Sequence, residues 1–221
     1  MLLTRYGARE VALSLVAWTA AAAALWVYVH PAAAAGPAAL LLFTLYFFRD
    51  PRRLAPEGQD LVLAPADGRV VDIEEVDDSD FVGERALRVG IFLSLFDVHI
   101  NRAPVAGRVE VVRYRPGKFL AAFNERATSE NEANYVGLAT GRKAPSGDEL
   151  RVGVKQISGI IARRIVCACA EGQDLASGER FGMIKFGSRT ELYLPAGSLG
   201  ELRVKVGDKV RAGATVIGRL A

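Results

Sequence analysis

Pro65-Ala66-Asp67-Gly68-Arg69-Val70-Val71-Asp72-Ile73-Glu74 decides the fold, because a turn sequence runs straight into an alternating apolar and polar segment. Pro, Asp and Gly each favour the tight backbone of a turn. A period near two marks a strand with one face buried. Segments of this kind recur at 87–93, 108–114, 135–139, 150–157, 164–169 and 191–194. Pro116-Gly117, Ser146-Gly147-Asp148, Glu171-Gly172 and Pro195-Ala196-Gly197 punctuate them. Many short strands at a spacing of roughly 8–12 residues predict a mainly β fold, a barrel or sandwich. Residues 120–134 break the pattern; polar and rich in Asn, Glu and Ala, they read as a loop or short helix over the site.

Upstream the chemistry changes. Residues 11–48 contain no Lys, Arg, Asp or Glu, and Arg5, Arg9, Arg49, Arg52 and Arg53 bracket them. The apolar run 11–29 exceeds the h-region of a signal peptide, about 7–15 residues, and a second apolar run, 38–48, follows it. A helical hairpin fits better, broken at His30-Pro31 and reinforced by Gly36-Pro37, since proline cannot continue a helix. The first run is long enough to span a bilayer, which takes about 20 residues. The second is marginal. Trp18, Trp26, Tyr28 and Tyr46 suit interfacial zones, and arginines at both flanks place both ends in the cytoplasm. The domains expected are a membrane anchor, 1–48, and a catalytic β domain, 49–221, at the cytoplasmic face of the cell membrane.

The net charge of +3 comes with no basic run interleaved with aromatics, so no nucleic-acid partner is expected. Cys167 and Cys169 would share one face of a strand. They are too few to hold a metal, and they read as small buried hydrophobes in a reducing compartment. Of the two histidines, His30 sits at the hairpin hinge. That leaves His99, in Asp97-Val98-His99-Ile100-Asn101-Arg102, as the one side chain of the β domain that ordinarily titrates near neutrality. In Lys185-Phe186-Gly187-Ser188-Arg189, Gly permits a strained backbone and leaves its carbonyl open to the hydroxyl that follows it. A β-bulge would account for the same residues.

The tail 201–220, and more faintly 61–75, resembles half of a biotinyl/lipoyl-type barrel. A membrane-anchored adaptor without catalysis is therefore a competing class. Its turns, Gly207-Asp208 and Ala212-Gly213, lack the lysine a carrier needs, and no heptad pattern supplies an adaptor's coiled coil.

Five ordered blocks decide between these readings. They are Arg49-Asp50-Pro51-Arg52, Pro65-Ala66-Asp67-Gly68, Asp97 to Pro104, Asn124-Glu125-Arg126 and Lys185-Phe186-Gly187-Ser188. In this order they resemble the compact form of the phosphatidylserine decarboxylase family over residues 43–221. Phe-Gly-Ser-Arg stands where long-form members have Leu-Gly-Ser-Thr, and Phe96 stands where they carry a second histidine.

The resemblance implies a precursor cut between Gly187 and Ser188 into chains 1–187 and 188–221, a heterodimer of its own halves. Asp67 would support His99, and His99 would take the proton of Ser188, in the manner of a serine-protease triad. Ser188 would become a covalent pyruvoyl cofactor that decarboxylates a phospholipid through a Schiff base. The product would be phosphatidylethanolamine and CO2, with no metal; an archaeal ether-lipid substrate is the alternative within the family. Phe92, Leu93, Leu95 and Phe96 could face acyl chains, with about half of them expected in the core. Arg102, Lys118 and Arg189 are candidates for the phosphate.

Overall fold

The computed structural model describes residues 3–58, 60–78, 81–122, 124, 126–144, 146–160 and 164–221. It divides into two compact units, Met1–Arg52 and Arg53–Ala221.

The first unit is the hairpin. Helix Ala8–Tyr28 is followed by a 3-10 turn, Pro31–Ala34, and helix Ala35–Phe47. The His30 ring begins the turn, its Nδ1 accepting from the Ala32 N–H at 3.1 Å. Gly36-Pro37 does not extend the break as expected. Both residues lie in the first turn of Ala35–Phe47, where a missing N–H costs no helical hydrogen bond. The hairpin's ends are tied by an isolated bridge between Leu3 and Arg49 and by the Thr4 N–H donating to the Phe48 carbonyl. Among the described residues one helix, Arg5–Tyr28, is long and apolar enough to cross a membrane, and none of its most apolar stretch is buried; Pro31–Phe47 is shorter.

The second unit is mainly β, built on a curled eight-stranded half-barrel. Its antiparallel order is Lys209–Val210, Gly68–Asp78, Gly83–Leu93, Ser188–Pro195, Glu149–Ile157, Ala133–Lys143, Gly107–Arg115, Asp174–Leu175. Two three-stranded sheets complete it. One joins Leu61–Leu63, Val216–Leu220 and Leu199–Leu202, so the two barrel-like stretches of sequence meet in one sheet. The other joins Ile100–Arg102, Arg180–Lys185 and Arg164–Cys167.

The strands read from alternation are all present, several of them longer than expected, but the one expected at 164–169 ends at Cys167 and leaves Cys169 beyond it. The segment 135–139 belongs to Ala133–Lys143, so the polar stretch gives way to strand after Glu132, with one short helix, Ala127–Glu130, inside it. Leu61–Leu63 and Ile100–Arg102 have every residue buried. Without an exposed face they leave no alternation to read.

Strand Ser188–Pro195 shows how the layers are divided. Leu192 and Leu194 join Val89, Ile91, Leu93, Val152 and Val154 in the main core. Arg189, Glu191 and Tyr193 alternate onto the opposite face. There the Arg189 Nε donates to Glu191 at 2.7 Å, and its Nη2 donates to Asp72 at 2.6 Å. Tyr193 and Thr128 each donate a hydroxyl to Glu191, also at 2.7 Å. Burial alone would raise the Glu191 carboxyl, but the Arg189 charge and the two hydroxyl donors outweigh it and hold it below its ordinary 4.5.

A depressed folded-state pKa gives stability that is fully present above the unfolded value and lost as pH falls through the folded one. Glu191→Gln is therefore expected to cost about 3 kcal/mol at neutral pH, the low end for breaking a buried pair, because Arg189 keeps Asp72. Denaturant unfolding across pH should also show a shallower loss of stability below pH 4.5 in the variant than in the wild type. Equal acid slopes would remove Glu191 from the account.

Candidate active site

Two crossings between sheets meet at one corner. Strand Gly83–Leu93 belongs to the half-barrel and Ile100–Arg102 to the small sheet, so residues 94–99 carry the chain across. Arg180–Lys185 and Ser188–Pro195 make the return crossing in two residues, Phe186 and Gly187. Pairing of Ser188 with Leu93 and of Met183 with Ile100 ties the crossings together. The Ile184 N–H donates to the His99 carbonyl at 3.2 Å. His99 and the Gly187-Ser188 bond are thereby fixed to the same corner.

Sequence reasoning put the strain at Gly187. The structure puts it one residue earlier. Phe186 has φ 74°, the only positive φ outside glycine among the described residues, a conformation that costs a residue with a side chain about 1–3 kcal/mol. A side-chain carbon on Gly187 would come no nearer than 3.8 Å to any neighbour, the Leu93 carbonyl oxygen. Gly187 therefore leaves its own carbonyl uncovered rather than relieving a clash.

Ser188 is fully buried, and its hydroxyl has no hydrogen-bond partner among the described residues. His99 is fully buried too. Its ring is oriented by Asp97, whose carbonyl lies 3.0 Å from Nδ1. The Asp97 carboxylate holds the preceding turn, accepting from the N–H and hydroxyl of Ser94 at 2.8 and 2.7 Å. That turn carries Phe96 outward, 66% exposed. Asp97 was visible in the motif, but nothing in the sequence assigned it this double use.

Asp67 is held by Arg53 and by the turn at Ala212. Arg53 grips both its oxygens, Oδ2 at 2.6 Å, and the Ala212 N–H donates to Oδ1 at 2.9 Å. Its turn reaches the strand of His99 through Pro65, whose carbonyl accepts from the Arg102 N–H at 2.9 Å. The three phosphate candidates are also engaged: Arg189 by Asp72 and Glu191, Arg102 by the Gly178 carbonyl, and Lys118 by Glu130. Of the four apolar residues, Leu93 is core, Phe92 and Leu95 are half-buried, and Phe96 is exposed.

Beneath the site a chain of amides joins the sheets. Asn134 donates to Gln156 at 3.0 Å, Gln156 to Asn101 at 2.9 Å, and Asn101 to the Thr190 hydroxyl at 3.1 Å. The polar stretch does lie against the corner. Asn131 donates to the carbonyls of Leu120 and Ser158, and Glu132 accepts from the Ser158 N–H. Asn124 caps this segment by accepting from the Arg126 N–H at 2.9 Å. Glu125, the middle residue of that block, lies outside the described residues. Open clefts occur elsewhere as well; one of about 490 Å³, lined by Leu61, Val105, Thr140 and Arg142, contains none of these residues.

Gly159 follows Ser158, and a side-chain carbon there would sit 2.3 Å from the Gly187 carbonyl oxygen. The register Arg189↔Ile157, carried two residues further, sets Gly187 beside Gly159. This partner is invisible in one dimension, because only the sheet brings residues 159 and 187 together.

With this geometry in place, the relatives can be read. The profile of the family described as "Phosphatidylserine decarboxylase" matches residues 40–218. A phosphatidylserine decarboxylase proenzyme of Symbiobacterium thermophilum is 52% identical over 90% of this chain and 89% of its own length. One from Carboxydothermus hydrogenoformans is 50% identical over 82% and 81%, and one from Chlorobium luteolum 41% identical over 99% and 100%. The family model defines a decarboxylase, and these relatives are named as proenzymes. The chain belongs to the phosphatidylserine decarboxylase family.

Gly159→Ala should displace the Gly187 carbonyl without emptying the core. Misplacing a reacting group by about 1 Å costs on the order of 100-fold, so any self-cleavage should slow by about that factor. Chain separation on denaturing gels, with the thermal melt as control for folding, measures it. Cleavage at the wild-type rate would show that the contact does not position the bond.

Proposed function

We propose that this chain is a membrane-anchored phosphatidylserine decarboxylase that cuts itself between Gly187 and Ser188 and uses a pyruvoyl group made from Ser188. The observation that carries the reading is the buried, unpartnered Ser188 hydroxyl, which follows a strained Phe186 and shares a corner with His99. The residues fit the group: Ser188 is already desolvated, and Gly159 leaves the space beside the scissile carbonyl open.

In the precursor, His99 takes the Ser188 proton and the hydroxyl oxygen attacks the Gly187 carbonyl carbon. The C–N bond breaks as the C–O bond forms, so an ester replaces the amide. A base then removes the Cα proton of residue 188, and the Cβ–O bond of the ester breaks. This releases residues 1–187 with a terminal carboxylate and leaves a dehydroalanine, which takes up water and loses ammonia. Asp67 acts as a positioning residue: held by Arg53 and Ala212, it fixes the turn whose Pro65 carbonyl anchors the strand of His99.

In the mature enzyme, the pyruvoyl carbonyl supplies an electron sink for the bond that loses CO2. The chain's own part is placement. Strand Ser188–Pro195 is paired on both sides, with Gly83–Leu93 and Glu149–Ile157, so the new N-terminus stays where Ser188 was. His99, buried at the same corner, is the proposed proton donor, and the exposed Phe96 is the proposed contact for an acyl chain. The apolar Arg5–Tyr28 helix suits a substrate that stays in the bilayer. An ether-linked lipid would meet the same groups, and no observation favours it.

Purified protein should run as two chains whose masses sum to the precursor plus one water minus one ammonia, the smaller one carrying an amine-reactive ketone. It should release CO2 from phosphatidylserine. Ser188→Ala and His99→Ala should stay whole, and Asp67→Asn should process slowly. A single stable wild-type chain without a ketone would sink the reading.

The anchor is tested separately. Full-length protein should sediment with membranes and require detergent for release; recovery in the soluble fraction without detergent would leave the Arg5–Tyr28 helix without its membrane role.

A further inference from the structure

Cys167 and Cys169 are the nucleophilic side chains that the decarboxylase reading leaves unused. Cys167 ends strand Arg164–Cys167, opposite Gly182, and Cys169 lies two residues beyond it. Both are free, both pack against the main core, and both are half-buried rather than buried as expected from the sequence. Their Sγ atoms are 3.6 Å apart. Half-burial leaves them open to small reagents. No third His, Cys, Asp or Glu stands close enough to complete a metal site among the described residues.

We propose that Cys167 and Cys169 form a redox-active vicinal dithiol that hydrogen peroxide converts to an intramolecular disulfide. The sulfurs must close from contact distance to a bond of about 2.05 Å. Residues two apart on an extended chain have Cα atoms about 6.6 Å apart, near the upper limit of about 6.8 Å for a disulfide. Cys169 lies past the end of its strand, where the backbone has freedom to close that gap. A bond formed near this limit is strained and easily reduced again.

The two thiols have different parts. Contact with the Cys169 thiol lowers the Cys167 pKa; burial opposes this, and the Asn134 side chain adds to the lowering. Cys167 is therefore the attacking sulfur and Cys169 the resolving one. The Cys167 thiolate attacks one peroxide oxygen, the O–O bond breaks, and sulfenic acid and hydroxide result. The Cys169 sulfur then attacks the Cys167 sulfur, the S–O bond breaks, and the hydroxyl leaves as water with the thiol proton. In net terms two thiols and one hydrogen peroxide give one disulfide and two waters.

The test uses full-length protein in detergent. Before treatment, N-ethylmaleimide should add twice to the chain containing these cysteines. After stoichiometric peroxide it should add not at all, the mass should fall by two hydrogens, and dithiothreitol should restore both additions. Cys169→Ser should stop at a sulfenic acid on Cys167, trapped by dimedone, and Cys167→Ser should consume peroxide at least roughly tenfold more slowly. Two additions after peroxide, or oxidation only to disulfide-linked dimers, would overturn the proposal. Undiminished peroxide consumption in Cys167→Ser would overturn the assignment of the attacking sulfur. None of these readouts depends on decarboxylation.

Discussion

A chain that leaves one sheet at Lys185 and enters another at Ser188 has two residues in which to turn, and neither belongs to a ladder. Phe186 takes the turn in a left-handed conformation that a side chain resists. What keeps it there is the pairing on either side, with Arg180–Lys185 held by two neighbours and Ser188–Pro195 by two more. The strain falls on the peptide units beside the bond proposed to break, and relief of strain there favours products. The same crossing brings Gly187 against Gly159 and sets His99 at the corner through Ile184. The site is a consequence of where the sheets change over.

The ladders also explain how such a chain would survive the proposed cut. Residues 188–221 contribute a central strand of the half-barrel and the central strand of a three-stranded sheet, Val216–Leu220. Leu192, Leu194 and Ile217 are fully buried in the main core. Arg189 is clamped by Asp72 from another strand, so even the second residue of the proposed smaller chain is held. Breaking one peptide bond removes none of these contacts.

Alternation made most half-buried strands legible, and the charge-free run made the hairpin legible. Leu61–Leu63 and Ile100–Arg102 stay hidden, because a short strand covered on both faces has no polar phase. The residues of the site were legible as ordered blocks rather than as geometry. Ser188 and His99 stand out in those blocks, whereas Gly159 and the positioning use of Asp97 do not. Gly159 matters only through a neighbour 28 positions away, and Asp97 works on His99 through its backbone carbonyl, which every residue type possesses. Asp67 was picked out by its block, yet its partners Arg53 and Ala212 could not be read from spacing.

The amide chain from Asn134 through Gln156 and Asn101 to Thr190 settles why the corner is so well defined. These four side chains are buried, and each is hydrogen-bonded to the next. Buried amides left unpaired would cost about 1–3 kcal/mol apiece, so any slip of the small sheet against the half-barrel is opposed by several such penalties at once. Asn101 follows His99 by two residues, and Thr190 follows Ser188 by two. Thr190 thus shares a strand face with Ser188, and the contact between Asn101 and Thr190 ties the two chain segments of the corner together. That pairing is satisfied, while the Ser188 hydroxyl is left buried and unpartnered among the described residues. A hydroxyl denied both water and a hydrogen bond is poorly stabilised, and the register held from below fixes the residue that carries it.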